Sequence, residues 1–361
     1  MARELHDQGI PVHVVEREAV VGGHARVEVL NGVVYEPNGA HIFHTSDERV
    51  ADYVQRFGLH RPYEHRVATE VYLRDDDETP VLLSWPPQVD ELRRLADWPI
   101  IERELAELPK RPAGEDFETW VVSLMGRHLY RLFIEGYTRK QWGCEPSELS
   151  SRFAPKRVDL RADNETRLFR DRWEFFAAEG VNTIIESILA PLAVTCGVAV
   201  DLDNLFDVVG VPAAVVLTTP LDDFVAKPGA LAWRGIRMQS RYVPVDDPGA
   251  TLTPAYVVNR PSLRVPYTRT VETKHASGQR INGTVVSEEY PGAAARHYPV
   301  PTVGGANELA NDVLQDEIRA SLRSLPTFFC GRLSTYTYID QDQAIARALA
   351  CAEDVGRSVR G

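Results

Sequence analysis

Cysteine is scarce in this sequence, and its spacing excludes two common kinds of site. The four cysteines, Cys144, Cys196, Cys330 and Cys351, are far apart and form no C-x-x-C pair. Zinc knuckles and disulfide frameworks require closely or regularly spaced cysteines. We therefore expect neither of them, and we predict buried thiols in a reducing compartment.

Positive charge is also in short supply. The chain has 40 lysines and arginines against 52 aspartates and glutamates, so its formal net charge is −12. Nucleic acids and anionic membranes are bound through basic surfaces, and this balance argues against both as partners. If the substrate is itself an anion, a local cluster of arginines must overcome the overall repulsion.

Long apolar runs are absent as well. No segment reaches the length of a membrane span, and the first residues, MARELHDQG, have neither the apolar core nor the cleavage site of a signal peptide. With 361 residues, 44% hydrophobic and 25% charged, the chain has the composition of a soluble globular protein with two or three domains. We expect a cytoplasmic location.

The first residues follow part of a dinucleotide-binding pattern. Residues 2–9 predict the end of a helix, and residues 10–16 (IPVHVVE) predict the strand that follows it. In such a βαβ unit an earlier strand leads into a G-x-G-x-x-G loop that holds a pyrophosphate, and an acidic residue ending the second strand binds a ribose. Glu16 occupies the acidic position, whereas the sequence contains no such loop before it.

Three sequence patterns alternate along the chain and predict an α/β fold with three domains. One is a Rossmann-like nucleotide domain of the FAD/NAD type, discontinuous and without its first strand. Helical periodicity predicts an inserted helical domain, and short runs between Gly, Pro and Asp turns predict an antiparallel sheet domain for the substrate. The predicted boundaries are 1–60, 181–225 and 302–361 for the nucleotide domain, 78–150 for the helical domain, and 61–77, 151–180 and 226–301 for the sheet domain.

Two local motifs combine aromatic with charged residues. In residues 136–143 (GYTRKQWG), Tyr137 and Trp142 flank two cations at the end of an amphipathic helix. Aromatic faces can stack on a base and Lys or Arg can neutralise a diphosphate, although a capped helix end with Trp142 in the core also fits. In residues 331–340 (GRLSTYTYID), a helix N-terminus near an arginine could bind an anion, and a tyrosine-rich turn fits equally well.

Taken together and in this order, the segments resemble the UDP-galactopyranose mutase family over nearly the whole chain. The GYTRKQWG and GRLSTYTYID motifs at this separation are specific. The matching blocks are GGHA (22–25), GAHIFHT (39–45), GYTRKQWG (136–143), RVDLRADNETRLF (157–169), VPYTRTVETKH (265–275), EEYP with HYPVP (288–301) and GRLSTYTYIDQDQAIARAL (331–349).

The resemblance implies a mutase that interconverts an NDP-hexopyranose and an NDP-hexofuranose by ring contraction. The substrate would be like UDP-galactose, with a GDP-sugar as the alternative. In this family reduced FAD attacks the anomeric carbon and displaces the nucleoside diphosphate. The family also forms homodimers, for which the helical insertion at residues 90–142 would be the natural interface.

The resemblance also implies roles for individual residues on the substrate side. Tyr137 would stack on the base, and Trp142 and Phe133 would line the same pocket. Arg161 and Arg269 would clamp the diphosphate, whose developing charge needs bidentate donors. From the local sequence alone, Arg161 could instead be a surface residue of an arginine-rich loop.

The remaining implied roles concern the phosphates and the flavin. Tyr298 and Tyr338 would donate hydrogen bonds to the phosphates, and His41 would lie against the isoalloxazine ring. Arg332 and Asp340 would hold the floor near the flavin, although Asp340 could simply cap the following helix. Residues that remain of the FAD cradle would be Glu16, Gly22 and Gly23.

Departures from the family pattern leave alternatives open. Without the glycine loop, either the gene start is assigned too late or this is a divergent mutase that has lost flavin binding. Gln341 stands where the family usually has methionine, and residues 83–85 (LSW) replace a usual Pro-x-Asn segment. The sugar and the base can therefore differ from galactose and uracil.

A flavin-independent mutase would need another group to assist departure of the diphosphate. The simplest is a divalent metal on its oxygens, with His41, His44 and Asp340 as first candidate ligands. The spacing of the two histidines alone does not predict a metal site, because no third ligand is adjacent. A relative that binds a nucleotide sugar without turning it over is the alternative from a different functional class.

Overall fold

The computed structural model describes residues 1–156, 158–292, 295–323 and 325–361. Arg157, the first residue of the arginine-bearing block, lies outside these ranges. The helices are α1 (Ala2–Asp7), α2 (Glu48–Gln55), α3 (Val89–Leu92), α4 (Trp98–Ala106), α5 (Phe117–Tyr130), α6 (Gly136–Trp142), α7 (Val181–Leu189), α8 (Leu205–Val209), α9 (Leu221–Phe224), α10 (Lys274–Ser277), α11 (Ala306–Leu322), α12 (Gly331–Ser334) and α13 (Gln341–Arg360). The strands are β1 (His13–Glu16), β2 (Glu28–Leu30), β3 (Val33–Tyr35), β4 (Phe43–Thr45), β5 (His60–Pro62), β6 (Val67–Val71), β7 (Val81–Trp85), β8 (Trp173–Ala177), β9 (Ala193–Cys196), β10 (Val215–Leu217), β11 (Trp233–Val243), β12 (Val257–Asn259), β13 (Arg269–Val271), β14 (Thr284–Gly292), β15 (Tyr298–Pro299) and β16 (Thr327–Phe329).

A mostly antiparallel sheet forms one wall of the molecule. Among the described residues its strand order is β15-β11-β14-β13-β12-β6-β7, and only the β12–β6 pair is parallel. The pairing of β13 with β14 places Arg269 directly opposite Glu289. Opposite charges at paired positions stabilise neighbouring strands, so this register also positions a site residue.

Two pairs of parallel strands carry the nucleotide-domain pattern. β1 pairs with β9, and β10 pairs with β16. Beside them Leu5 of α1 packs on Ala352 and Val355 of α13 in a small apolar cluster. Parallel strands covered by helices are typical of α/β nucleotide-binding folds, and the predicted α/β fold class is confirmed.

The helical segment packs around its own apolar core. Val121, Met125 and Leu129 of α5 are fully buried there at a four-residue spacing, which belongs to the helical periodicity from which the helix was predicted. α5 is interrupted at Gly126, whose φ of +84° suits glycine, and a Cβ at this position would lie 2.6 Å from Glu104 Oε2. A five-residue π-helical turn, Arg131–Glu135, then leads into α6.

Two local predictions differ from the structure. Residues 81–85, which we placed in the helical segment, form the edge strand β7 of the large sheet. Of the four cysteines only Cys330 is buried, and Cys196 is exposed.

The boundaries of the three predicted domains stay a prediction. Among the described helices, none combines the length and apolarity needed to span a membrane.

Candidate functional site

A cavity of about 320 Å³ lies where α6, the large sheet and the start of α13 meet. The structure brings most of the predicted site residues to its wall, although they are distributed over 300 positions of sequence. The predicted residues that line it are His41, His44, Phe133, Tyr137, Trp142, Arg269, Tyr298, Arg332, Tyr338 and Asp340.

One side of the cavity is an aromatic cluster. The rings of Tyr298 and Tyr338 have centroids 5.5 Å apart, and the Trp142 ring lies 6.3 Å from the first and 6.4 Å from the second. Trp142 also contacts Phe153 at 5.6 Å. The Trp142 side chain therefore serves both as core and as cavity wall, which combines the two interpretations of its motif.

Arg269 enters the cavity wall as half of an ion pair. Its Nε and Nη2 atoms donate to the carboxylate of Glu289, at 3.0 and 2.6 Å for the shortest contacts. Glu289 is fully buried and also accepts a hydrogen bond from the Thr268 hydroxyl at 3.0 Å. Burial opposes the Arg269 charge, but the nearby carboxylate more than offsets this and raises the pKa of Arg269 well above its usual range.

The guanidinium of Arg332 packs against the rings of Tyr298 and Tyr338. Its guanidinium lies 5.6 Å from the ring centroid of Tyr298 and 5.0 Å from that of Tyr338, within the range of cation–π contacts. It donates to the carbonyl oxygens of Ile339 at 3.1 Å and His297 at 3.2 Å. Arg332 thus links the α12–α13 loop to β15 and fixes both tyrosines.

His41 is positioned by a buried carboxyl group that sequence reasoning missed. The backbone N–H of His41 donates to Glu36 Oε1 at 2.8 Å, while the hydroxyls of Tyr256 and Thr273 donate to Oε2. Burial raises the pKa of Glu36 to about 7. Three donors on one buried carboxyl hold the 36–41 turn in place.

Two histidines of the cavity, His41 and His65, are held in their neutral forms. Burial and then the charge of Arg332 lower the pKa of His41 to about 4. Burial also lowers the pKa of His65, a further cavity residue, to about 3. Positive charge facing the cavity near neutral pH therefore comes from the guanidinium groups of Arg269 and Arg332, not from these imidazoles.

Helix α6 carries Tyr137 on the cavity wall, and Lys140 of the same helix holds it to a neighbouring loop. Burial raises the pKa of Tyr137, which lines the cavity, to about 12. The Lys140 ammonium points away and donates to the carbonyls of Arg260, Ser262, Val265 and Tyr267, at 2.5 to 3.2 Å. Lys140 therefore anchors the loop before Arg269, and the structure does not place it on the cavity wall.

The structure does not bring Arg161 to the cavity, which corrects its expected position. Its side chain is buried and donates to the carbonyls of Glu165, Arg167 and Leu168, besides pairing with Asp159 at 2.8 Å. These contacts use Nε, Nη1 and Nη2, so the guanidinium holds together the loop of residues 159–168 to which it belongs. The alternative of an exposed surface arginine does not fit this burial either.

The expected cofactor residues near the N-terminus lie outside the cavity wall. Glu16 ends β1 and accepts a hydrogen bond from the backbone of Glu18 at 2.8 Å. Gly22 and Gly23 both have positive φ, +109° and +51°, before a short 3₁₀ turn. Asp340 caps α13 in a capping box with Gln343, which matches its alternative interpretation while leaving it on the cavity wall.

The candidate metal ligands do not form an ion site. Among the described residues, no group of three or more His, Cys, Asp or Glu side chains could hold a metal. His44 Nδ1 lies 2.8 Å from Asp171 Oδ2 instead. His41, His44 and Asp340 share the cavity wall without converging on one point.

Residues missed by sequence reasoning include Glu36, His65 and Glu289. Glu289 lies in the EEYP block, and its strand could have been paired with β13 to find the partner of Arg269. Glu36 and His65 are single buried polar residues in irregular or short segments, with no periodic signal around them.

The chain combines an α/β fold with a cavity lined by aromatic residues and two arginines. Its fold is that of the flavin-containing amine oxidoreductases. A family profile described as flavin containing amine oxidoreductase matches residues 1–203. The crystal structure of a reduced UDP-galactopyranose mutase has the same fold, with a TM-score of 0.74 and 15% identity, covering 99% of this chain and 94% of that one.

Within this class, the sequence relatives are more specific. A profile described as UDP-galactopyranose mutase matches residues 132–338. A probable UDP-galactopyranose mutase of Klebsiella pneumoniae is 30% identical, covering 99% of this chain and 92% of the relative. A dTDP-fucopyranose mutase of Escherichia coli is 25% identical, covering 98% and 94%. The chain belongs to the UDP-galactopyranose mutase family.

Proposed function

We propose that this protein is a nucleotide-sugar mutase that interconverts an NDP-hexopyranose and its NDP-hexofuranose. The observation that carries the proposal is the convergence of Tyr137, Trp142, Arg269, Tyr298 and Tyr338 on one cavity in a chain of this family. By their names, relatives act on UDP-galactopyranose and dTDP-fucopyranose. These are the first two substrates that we expect.

The cavity suits a diphosphate leaving group. Arg269 and Arg332 supply positive charge in a partly buried setting, where charge-assisted hydrogen bonds are strong. Burial and the charge of Glu289 raise the pKa of Tyr298 well above its usual range, so its hydroxyl keeps the proton that it would donate to a phosphate oxygen. Glu289 balances the charge of Arg269, which limits the net positive charge of the cavity wall.

The residues present beside His41 fit a bound flavin. His41 Nδ1 and His297 Nε2 are buried without a hydrogen-bond partner in the described structure, and a ring with donors and acceptors at its edge could satisfy both. His41 and Arg332 on the cavity wall, with Gly22 and Gly23 outside it, are the residues that would hold it. Reduced flavin, when bound, supplies a nucleophilic nitrogen for the anomeric carbon of the sugar.

The direct test is product formation, followed by chromatography. The protein would be incubated with UDP-galactopyranose or dTDP-fucopyranose, with FAD and dithionite, and in parallel with no flavin. We expect furanose product only with reduced flavin. Turnover without flavin would overturn flavin use, and binding of the nucleotide sugar without any turnover would make the protein a binding relative.

We expect Tyr137→Ala to weaken substrate binding. Loss of a base–aromatic stack costs about 1.4 kcal/mol or more, so KM should rise about tenfold with a smaller change in kcat. Steady-state kinetics with UDP-galactopyranose would measure the change. Tyr137→Phe keeps the ring and should stay near the wild-type KM, and an unchanged KM in Tyr137→Ala would contradict base stacking.

A further inference from the structure

His44 is a cavity residue whose imidazole is held from two sides. Its Nδ1 lies 2.8 Å from Asp171 Oδ2, and its ring stacks on Phe169 with a centroid distance of 3.5 Å and an interplanar angle of 12°. The Ser46 hydroxyl donates to the other oxygen of Asp171 at 2.7 Å. Both the position and the plane of the ring are therefore set by its neighbours.

The hydrogen bond determines which nitrogen can serve the cavity. A carboxylate accepts only, so Nδ1 carries a proton in the pair with Asp171. In neutral imidazole Nε2 is then the acceptor. His44 lines the cavity together with Phe169, Asp340 and Gln341, and Nε2 is its remaining polar atom. A carboxylate behind a histidine is the arrangement that stabilises imidazolium as it forms.

The proposed reaction requires a proton to move between two sugar oxygens. Opening of a pyranose ring needs a proton on the ring oxygen, and closure to a furanose removes one from a different hydroxyl. The two transfers balance, so one group can supply the first proton and recover it in the second. Histidine is the side chain that most often moves protons near neutral pH.

We propose that His44, held by Asp171, is the residue that gives a proton to the departing ring oxygen and takes one from the attacking hydroxyl. This inference rests on the proposed mutase function and adds a catalytic residue to it. The cycle starts from the imidazolium form of His44, whose Nε2–H donates its proton as the pyranose C–O bond breaks, leaving the neutral ring with its proton on Nδ1. Nε2 then accepts the hydroxyl proton as the furanose C–O bond forms, and Asp171 balances the imidazolium charge.

The other charged groups near His44 are compatible with this role. Asp342, at the start of α13, acts on His44 electrostatically, as does His65 across the cavity. Asp340 lies on the same wall. Burial lowers the pKa of His65 to about 3, so His65 is neutral near neutral pH and does not compete for the same proton.

The test combines kinetics with a measurement on the substrate-free protein. Steady-state kinetics would compare wild type, His44→Gln, Asp171→Asn and a control, Asp316→Asn, whose side chain is exposed on α11. We expect kcat to fall about 100-fold or more in His44→Gln and about tenfold in Asp171→Asn, with KM nearly unchanged. The control should match wild type.

Nitrogen-15 NMR of the histidine rings provides the second readout. We expect the Nδ1 signal of His44 at the upfield position of a protonated ring nitrogen in the wild-type protein, and we expect it to move downfield in Asp171→Asn. If kcat in both variants stays within twofold of wild type, His44 is not the proton-transfer residue. If wild type turns over no nucleotide sugar, the mutase function itself fails, while the NMR result still decides whether the His44–Asp171 pair exists.

Discussion

Arg269→Ala should lower both the free energy of unfolding and the kcat/KM of the enzyme. The substitution leaves Glu289, which is fully buried, without its guanidinium partner. Removal of one member of a buried ion pair costs about 3–5 kcal/mol, because the remaining charge is uncompensated. The variant also loses a cation that we propose to bind the diphosphate, and we expect kcat/KM to fall by about 100-fold or more.

A double variant separates the two roles of Arg269. Arg269→Met with Glu289→Gln removes both charges, so most of the lost stability should return, whereas turnover should not. Urea unfolding at pH 7.5 and steady-state kinetics would measure the two effects. Arg319→Ala removes an exposed arginine from a surface pair with Asp316 and serves as the control. A free energy of unfolding within 1 kcal/mol of wild type in Arg269→Ala would contradict this account.

The motifs located most of the cavity because each one is compact in sequence. Tyr137 and Trp142 lie five residues apart on α6, and Arg332, Tyr338 and Asp340 lie in α12 and the loop that joins it to α13. Local segments of this kind keep their shape wherever the chain places them. Their roles toward substrate and flavin stay predictions.

Arg161 shows what motif matching does not specify, namely the direction of its side chain. Its register in the block was predicted, but the direction of a long side chain depends on nearby carbonyl groups that no pattern reveals. The carbonyls of Glu165, Arg167 and Leu168 turn the guanidinium inward. Buried backbone acceptors need donors, and here an arginine supplies them.

The strands were predicted where apolar runs were short and bounded by turns. The sequence predicts such runs at residues 255–258, 269–273, 284–287 and 298–300, and β12, β13, β14 and β15 overlap them in that order. The longest strand, β11, was missed, although its IRMQSRYV segment alternates between side chains of differing burial, which is the signature of a half-buried strand. The order of strands within the sheet depends on long-range pairing, which the sequence pattern does not specify.

The contribution of Glu36 to the stability of the wild-type protein should fall with rising pH. Its carboxyl is 2% exposed, and burial raises its pKa from 4.5 to about 7. Below pH 4.5 it is protonated in both the folded and the unfolded chain and costs nothing. Between pH 4.5 and 7 the unfolded chain releases the proton while the folded chain keeps it. The free energy of unfolding is therefore highest, as far as Glu36 is concerned, below pH 4.5. It decreases above pH 4.5, and the loss is complete once the pH has risen through 7.

Glu36→Gln should remove this dependence because an amide does not titrate. Relative to wild type, the variant should gain about 2.5 kcal/mol in unfolding free energy between pH 5 and pH 7.5. Urea unfolding at the two pH values measures the change. Because other groups titrate equally in both proteins, only the difference between them reports on Glu36. Glu78→Gln, at an exposed position, controls for the loss of one negative charge. A constant difference between Glu36→Gln and wild type would mean that the carboxyl under His41 keeps the same charge throughout, and that the turn carrying His41 is held by an ionised group.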